Sequence, residues 1–590
     1  MAGRAGRVVI AMLSAAIALA GCRSIRPGGM EADLIVIGAG IGGLAAAMEA
    51  EGRGARVLVI DANSVAGGHA VRAAGFTLVG TPLQQARGVQ DSPDLAFGDL
   101  MAWGEDADAW WVRYYVENSR VQVHDWLASM GVHFALLLPT AEDSVPRFHM
   151  TRGAAIGAVV PIMREAFGRR HIAYRFNTEV TAIVPGDGWV EVRTRQLRNG
   201  ATRILRAPAV VIATGGYQNS LELVQGNWHP GVRRPERLLL GAGHFATGSG
   251  LALAEHAGAA ITRLDHQVTF VNGLPDPRDP RGAHGLLVQN PAAIWVDATG
   301  RRFVNEAGPG KVTDRVVLEK TPATHWLVFD SVGLKQLTIR GTAWLTPQTV
   351  KAEILDNPAL VRKAGSIAQL AVAAGLPASE LERTVQRFNG FVDRGKDEDF
   401  GRLGPGMRMP PPAVRQPPFY AIQLYPMTRQ SMGGISVDHD TRVLSRATGQ
   451  PLTGLYAVGE VTGVAGLNGS FGGSGGFMGP SLLMGRMAGR QAALQVLGPR
   501  ADRVEPPVAR PAKPVAAAPP EAWPSTGSAI ELPTLLRTPR PGYWHFEVSH
   551  ALVVERGEAC AGCHRGPWQP GPTETQAARL VQLESCTRCH

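Results

Sequence analysis

Cysteine is scarce in this chain: five in 590 residues, at positions 22, 560, 563, 586 and 589. Four of them form two C-x-x-C-H clusters, Cys560–His564 and Cys586–His590, and the fifth closes an apolar N-terminal stretch. None is left over for a disulfide, which excludes a disulfide-built fold. No basic run interleaved with aromatics occurs, so a nucleic-acid partner is excluded even though the formal net charge is +9. That charge reads as a solvated face that favours acidic partners or an anionic lipid surface. The apolar run from Val8 to Ala20 is too short, with its flanks, to be a stable membrane span. What remains, with 45% hydrophobic and 18% charged residues, is ordinary for a soluble globular protein. The length suits about three or four domains.

The first segment, "MAGRAGRVVIAMLSAAIALAGC", has Arg4 and Arg7, an apolar centre and small residues before Cys22. It reads as a secretory signal over residues 1–22. Leu19-Ala20-Gly21-Cys22 resembles a bacterial lipobox, in which Cys22 is the lipidated residue; a plain cleaved signal is the alternative. Arg23 after the cysteine favours the outer membrane by the same resemblance. The expected location is therefore the periplasmic side, held to the membrane through a lipid anchor.

Each C-x-x-C-H supplies two thiols for thioether bonds to a haem and a histidine for its iron. Paired C-x-x-C motifs also make zinc sites. Here a histidine follows each pair at once and the export signal sets the compartment, so the expectation is two haem c groups. They attach through Cys560, Cys563, Cys586 and Cys589, with His564 and His590 on the irons. The two other nearby histidines, His545 and His550, fit as distal ligands; the alternative is a surface role for one of them, since sequence does not fix axial identity. Residues 542–590 make a small di-haem segment organised by its cofactors, and the Pro/Ala-rich stretch 499–541 is a semi-extended linker.

Near the front, "ADLIVIGAGIGGLAAAMEAEGRGARVLVIDAN" reads as strand, glycine turn, helix, strand. Gly38, Gly40 and Gly43 form the G-x-G-x-x-G turn that lets backbone approach a pyrophosphate at a helix N-terminus. Asp61 ends the second strand, where a carboxylate can accept both ribose hydroxyls. FAD and NAD share this fingerprint. Two further buried strands decide for FAD: "APAVVIATGGY", delivering Gly215, and "GLYAVGEVTG", delivering Gly459 and Glu460, with Glu460 facing the ribityl chain. "GAGHFATGSG" could suggest a nicotinamide site, but an exported protein meets no large nicotinamide pool. The glycine run that includes Gly475 and Gly476 leads into a helix whose N-terminal dipole suits the flavin edge.

The motifs "IGAGIGGLAAA", "VAGGHA", "VIATGGY", "ATGSGLALAEHAGA", "DATGRRFVNE", "SMGGISVD" and "GLYAVGEVTG" together resemble the fumarate reductase and 3-ketosteroid dehydrogenase superfamily of FAD flavoproteins, over about Glu31 to Gly498. With c-type haem the chain is similar to flavocytochrome c fumarate reductases, the haem unit standing at the opposite end. The resemblance implies an α/β, Rossmann-like two-domain FAD-binding flavoprotein fold with an inserted α+β cap domain, plus the small C-terminal di-haem cytochrome c segment. The FAD-binding domain is expected at 31–264 and 419–498, and the cap at 265–418.

The family's catalytic residues carry over poorly. His266 matches a clamp histidine, with a core role as the alternative. Gln430 stands where the family has histidine, Gly469 where it has arginine, and Phe471 where steroid dehydrogenases have tyrosine. Lys311 and Arg315 are the cations nearest the position of a further missing arginine. Tyr425 and Arg429 are candidates to approach the flavin from the cap edge, structural packing and a surface cation being the alternatives. Loss of charged clamps removes bidentate carboxylate recognition and favours a neutral, extended, steroid-like substrate over fumarate. Gly68 and His69, in "GGHAVRAAG", belong to the cofactor site. His69 stands where succinate dehydrogenase flavoproteins carry the histidine bonded covalently to FAD, and a hydrogen bond to the flavin is the alternative.

These readings converge on an exported oxidoreductase that interconverts CH–CH and C=C bonds. Hydride would pass at the flavin and single electrons through the haems to a redox protein, such as a cytochrome or a quinol-linked donor or acceptor. The direction stays open. A terminal reductase of an unsaturated acid and an electron-transfer flavocytochrome without a substrate site are the alternatives.

Overall fold

The computed structural model describes residues 30–342, 345–404 and 410–502. Cys22, the haem-attachment cysteines and His545, His550, His564 and His590 lie outside the described residues.

The strands Leu34–Ile37, Val57–Ile60 and Ala209–Ile212 read LIVI, VLVI and AVVI, and every residue in them is buried. Such unbroken apolar runs suit a parallel sheet covered on both faces. They form the centre of a six-stranded sheet in the order Arg442–Leu444, Pro451–Ala457, Ala209–Ile212, Leu34–Ile37, Val57–Ile60, Ile172–Arg175. All neighbours are parallel except the first pair. The helix Ile41–Gly52 follows the first strand and packs against the long helix Met478–Leu497. Small residues set that contact: a Cβ on Gly485 would lie 2.2 Å from the Gly42 carbonyl oxygen, and one on Gly489 2.3 Å from that of Ala46.

A second, seven-stranded sheet is antiparallel. Its centre is the strand Phe419–Ser431, which pairs with Gln267–Pro275, His325–Phe329 and Val361–Ala364. The amphipathic helix Ala378–Arg394 lays Leu381, Val385 and Phe388 on it, at the three- and four-residue spacing of one helical face. The sequence boundary at Pro418 cuts this sheet too early. Phe419–Ser431 is apolar and buried for most of its length because it is the sheet's central strand, and the chain returns to the first unit only where Gly434–Ile435 pairs with Ile261–Thr262. Gln430 and Arg429, at the end of this strand, therefore stand where the two units meet.

Candidate functional site

A cavity of about 400 Å³ opens at the C-terminal ends of the parallel strands, where doubly wound sheets bind ligands. Three glycines of the first turn divide the work. A Cβ on Gly38 (φ 109°) would stand 2.3 Å from the Ala213 carbonyl oxygen, and one on Gly43 2.0 Å from that of Gly38. Those two glycines permit close packing of turn, strand and helix. Gly40 instead has nothing within 4 Å of its Cβ position and lines the cavity. It leaves the space a pyrophosphate needs, beside the N-terminus of the helix Ile41–Gly52.

Asp61 also lines the cavity. Its carboxylate accepts the backbone N–H groups of Ala39 at 2.6 Å and Asn63 at 2.7 Å, which fix it against the turn. Burial raises its pKa to about 6 although both donors oppose the rise. Gly215 (φ 76°), with nothing within 4 Å of its Cβ position, and Gly459 (φ 75°) line the same cavity. A glycine cradle with open space at Gly40 and Gly215 and a fixed carboxylate fit the phosphates and ribose of FAD. Phe477, Met478 and Ser481, at the start of the long helix, close the cavity's other wall.

Gly68 (φ 58°) and His69 form its rim. Arg429 donates to His69 Nε2 at 3.3 Å, and His69 Nδ1 lies 3.8 Å from Glu460 Oε2. A guanidinium can only donate, so Nε2 accepts and Nδ1 carries the proton toward Glu460. Burial chiefly lowers the His69 pKa, with Glu460 opposing and Arg429 and Arg72 adding, so the ring is neutral at neutral pH. Glu460 Oε1 is occupied by the N–H of Ser431 at 3.0 Å, which ties the cavity wall to the end of the central cap strand.

Arg429 is buried and lines the cavity. Besides His69, it donates to the carbonyls of Gly241 at 3.3 Å and Arg72 at 3.0 Å, while its Nε has no partner among the described residues. Burial, followed by repulsion from Arg72, brings its pKa down to about 10, so it stays charged at neutral pH. Arg72 lines the cavity beside it and donates to the Ala242 carbonyl at 2.9 Å. His244 completes this end.

Other expected site residues stand elsewhere. Tyr425 sits with Leu239, Leu287, Phe270 and Met427 in a small apolar cluster, its ring 4.5 Å from the Arg237 guanidinium. His266 spends both ring nitrogens on carboxylates, Nδ1 on Asp265 at 2.9 Å and Nε2 on Asp106 at 3.1 Å, and does not line the cavity. It precedes the strand Gln267–Pro275, so its ring stays beside the Asp106 loop. Gly475 and Gly476 are also close-packing glycines rather than lining ones: their Cβ positions lie 2.4 Å from Thr77 N and 2.3 Å from Asn468 Oδ1. Lys311 reaches from the cap to the Trp103 carbonyl and Glu105, both at 3.1 Å, and its ammonium lies over the rings of Trp103 and Phe471.

Arg72 and His244 were not singled out in the sequence. Arg72 follows His69 by one turn of a short 3-10 helix, Gly68–Arg72, so "GGHAVR" carried a usable signal. His244 lies inside "GAGHFATGSG", a stretch read only for its glycines.

Residues 33–477 match the family model described as FAD binding domain. The chain is 30% identical over 550 residues to a KsdD-like steroid dehydrogenase of Mycobacterium tuberculosis, covering 79% of this chain and 96% of that one. It is 31% identical over 475 residues to the fumarate reductase (cytochrome) of Shewanella frigidimarina, covering 78% and 77%. Among solved structures, the open conformation of a flavocytochrome c3 fumarate reductase superposes with a TM-score of 0.64 at 27% identity, over 82% of this chain and 81% of that one. With its cradle, its fixed carboxylate and this match across most of the described fold, the chain belongs to the FAD-binding oxidoreductase family.

Proposed function

We propose that this protein is an exported, lipid-anchored flavocytochrome that interconverts a CH–CH and a C=C bond in an acidic small molecule. The observation that carries the substrate class is the meeting of Arg429, from the cap strand, with Arg72 and His69 at the open end of the FAD cavity. Gln430 and Gly469 pointed to a neutral substrate, because the family's charged clamps are missing there. Two guanidiniums reach the cavity from other positions: Arg429 is buried with its Nε unspent, Arg72 already feels the Asp276 carboxylate, and a buried guanidinium favours a carboxylate partner.

FAD, when bound, supplies the two-electron exchange with a carbon of the substrate. Gly40 would let the backbone approach its pyrophosphate and Asp61 would accept its ribose hydroxyls, while His69, a neutral ring held between Arg429 and Glu460, would stand at the cavity wall beside it. Arg429 and Arg72 hold the substrate's acidic group. Being fixed by the carbonyls of Gly241 and Ala242, they need little rearrangement on binding.

Cys560, Cys563, Cys586 and Cys589 would carry two haems c, with His564 and His590 as ligands and His545 and His550 completing them. These would pass single electrons to a cytochrome or a quinol-linked partner on the periplasmic side, with Cys22 as the anchor. The resemblance to a fumarate reductase (cytochrome) and the two C-x-x-C-H motifs support this reading. Extraction of flavin and a pyridine haemochrome assay on the full chain, purified from a host that matures c-type cytochromes, test it. Two haems per FAD are expected. A chain that binds zinc and no haem would overturn the electron-transfer half and leave the flavin half standing.

A further inference from the structure

Alternation along the antiparallel sheet of Thr178–Pro185, Val190–Gln196 and Thr202–Ala207 sorts its side chains onto two faces. Val180, Ile183, Val192 and Leu205 point into the core. On the outward face the register sets Glu179 across from Arg195, Ala182 across from Arg193 and Ile204, and Val184 across from Glu191 and Arg206. Ile204 is 59% exposed and Val184 39%, large apolar side chains left in solvent on the two outer strands. Trp189, just before the central strand, joins this face. Its ring lies against the hairpin turn, where a Cβ on Gly186 would stand 2.8 Å from it, and the Arg206 guanidinium sits 4.5 Å from the ring centre. Isoleucine, valine and tryptophan among arginines make the chemistry of a membrane interface. An indole settles at headgroup depth, and an arginine stem covers apolar surface while its head reaches phosphate.

Charge points the same way. Arg193 and Arg206 share Glu191, each at 3.0 Å, and Arg195 pairs with Glu179 at 2.6 Å, so three arginines meet two carboxylates on this face. The exposed Arg203 stands on the edge strand beside them. A cationic surplus is drawn to an anionic leaflet. The point where the chain enters the fold decides which surface lies nearest the expected anchor. The Glu31 N–H donates to the Arg206 carbonyl at 3.1 Å, and the Arg175 guanidinium donates to the Glu31 carboxylate at 3.2 Å. The described chain therefore begins against the free edge of the third strand. Nine residues of chain lead from Cys22 to Glu31, which span at most about 30 Å. A body of this many residues is roughly 60 Å across. The tether is too short to pass to the far side, so an anchor at Cys22 holds this sheet toward the bilayer.

We propose that the outward face of this sheet is the membrane-docking surface of the protein and that its partner is an anionic phospholipid leaflet. Trp189, Val184 and Ile204 enter the headgroup region, and Arg193, Arg195 and Arg206 meet lipid phosphates. The inference rests on the reading of Cys22 as the lipid anchor. The lipid supplies attachment and the face supplies orientation. Thr178, Val180 and Leu197, from the same sheet and the turn that follows it, line the FAD cavity. A docked face therefore holds the cavity at a fixed attitude to the bilayer.

Spin labels test the face on the flavin- and haem-loaded full chain. With the native cysteines taken by lipid and haem, one added cysteine carries the label, and wild type taken through the same labelling reports any other thiol. A nitroxide is placed on Ile204→Cys or Val184→Cys, and as a control on Val372→Cys, a cap site that is 75% exposed. Each protein is added to vesicles of phosphatidylglycerol and phosphatidylcholine and followed by electron paramagnetic resonance. At 204 and 184 the labels are expected to lose access to a water-soluble nickel chelate and gain access to oxygen, while the label at 372 stays as it was. Labels at 204 and 184 that remain as wet as the one at 372 would overturn the docking face. Equal immersion in pure phosphatidylcholine would overturn the anionic partner. Shielding from both collision agents without vesicles, with a doubled mass in light scattering, would give the face to a second copy of the chain and overturn the proposal as well. The mass of the N-terminal peptide judges the anchor separately. An unlipidated Cys22 ends that reading, while immersion of the two labels on added vesicles still decides the face.

Discussion

The two ends of the cavity are built by different rules. At the cradle end, Gly38, Gly40, Gly43 and Asp61 lie within 24 residues of one strand–turn–helix–strand unit, and backbone geometry does most of the binding. At the open end, His69, Arg72, His244 and Arg429 come from three separated segments, and side-chain charge does the binding. The first end needs residues that are small; the second needs residues held by neighbours. Substitution should therefore disturb fold and cofactor at one end, and substrate handling at the other.

The largest effect expected is at Gly38. Alanine there would meet the Ala213 carbonyl at 2.3 Å in a left-handed backbone, and should cost about 2–4 kcal/mol of stability in chemical denaturation, with loss of bound FAD. Gly40→Ala sharpens the comparison: with open space at its Cβ position, the apoprotein should melt as wild type does while FAD affinity falls. At the other end, Arg429→Met should leave FAD content intact and lower kcat/KM for an acidic substrate by about a hundredfold, as removal of one buried charge partner does. Equal losses of FAD and turnover in that variant would erase the distinction between the ends.

Asp61 gives a pH test of the cradle. Its carboxylate form accepts the ribose hydroxyls, and its pKa is raised to about 6. FAD affinity, followed by flavin fluorescence, should thus fall as pH drops through about 6, and Asp61→Asn should flatten that dependence. A smaller effect is expected at Lys311, which ties the cap to Trp103 and Glu105 across the mouth of a side crevice lined by Phe471. Lys311→Met should shift KM a few-fold, in keeping with about 1 kcal/mol for a partly exposed cation–π and ion-pair contact. The smallest effect is expected at His266, where glutamine should change turnover by no more than about twofold, since its partners Asp265 and Asp106 are surface carboxylates and the exposed pairs are weak.

The same contrast explains what was legible in the sequence. The cradle could be read because its requirements are local: an apolar strand, glycines at fixed spacing and an acid at the end of the next strand. The open end has no such spacing. Arg429 and Tyr425 looked alike on one strand, but four residues of strand span roughly 13 Å, and only Arg429 reaches the junction of the two sheets. His266 resembled a clamp residue by position, and its surroundings consumed both of its nitrogens. The strand Phe419–Ser431 was assigned to the wrong unit because long-range pairing, not its own residues, decides which sheet it joins.

The most direct test of the central claim is an anaerobic half-reaction of the flavin. The full chain, reduced stoichiometrically with dithionite, is mixed with fumarate, crotonate or a 3-ketosteroid, and flavin absorbance is followed in wild type and in Arg429→Met. The account predicts that an unsaturated acid reoxidises the wild-type flavin and that Arg429→Met slows this step about a hundredfold. Reoxidation by the neutral steroid alone, at a rate unchanged in Arg429→Met, would contradict it.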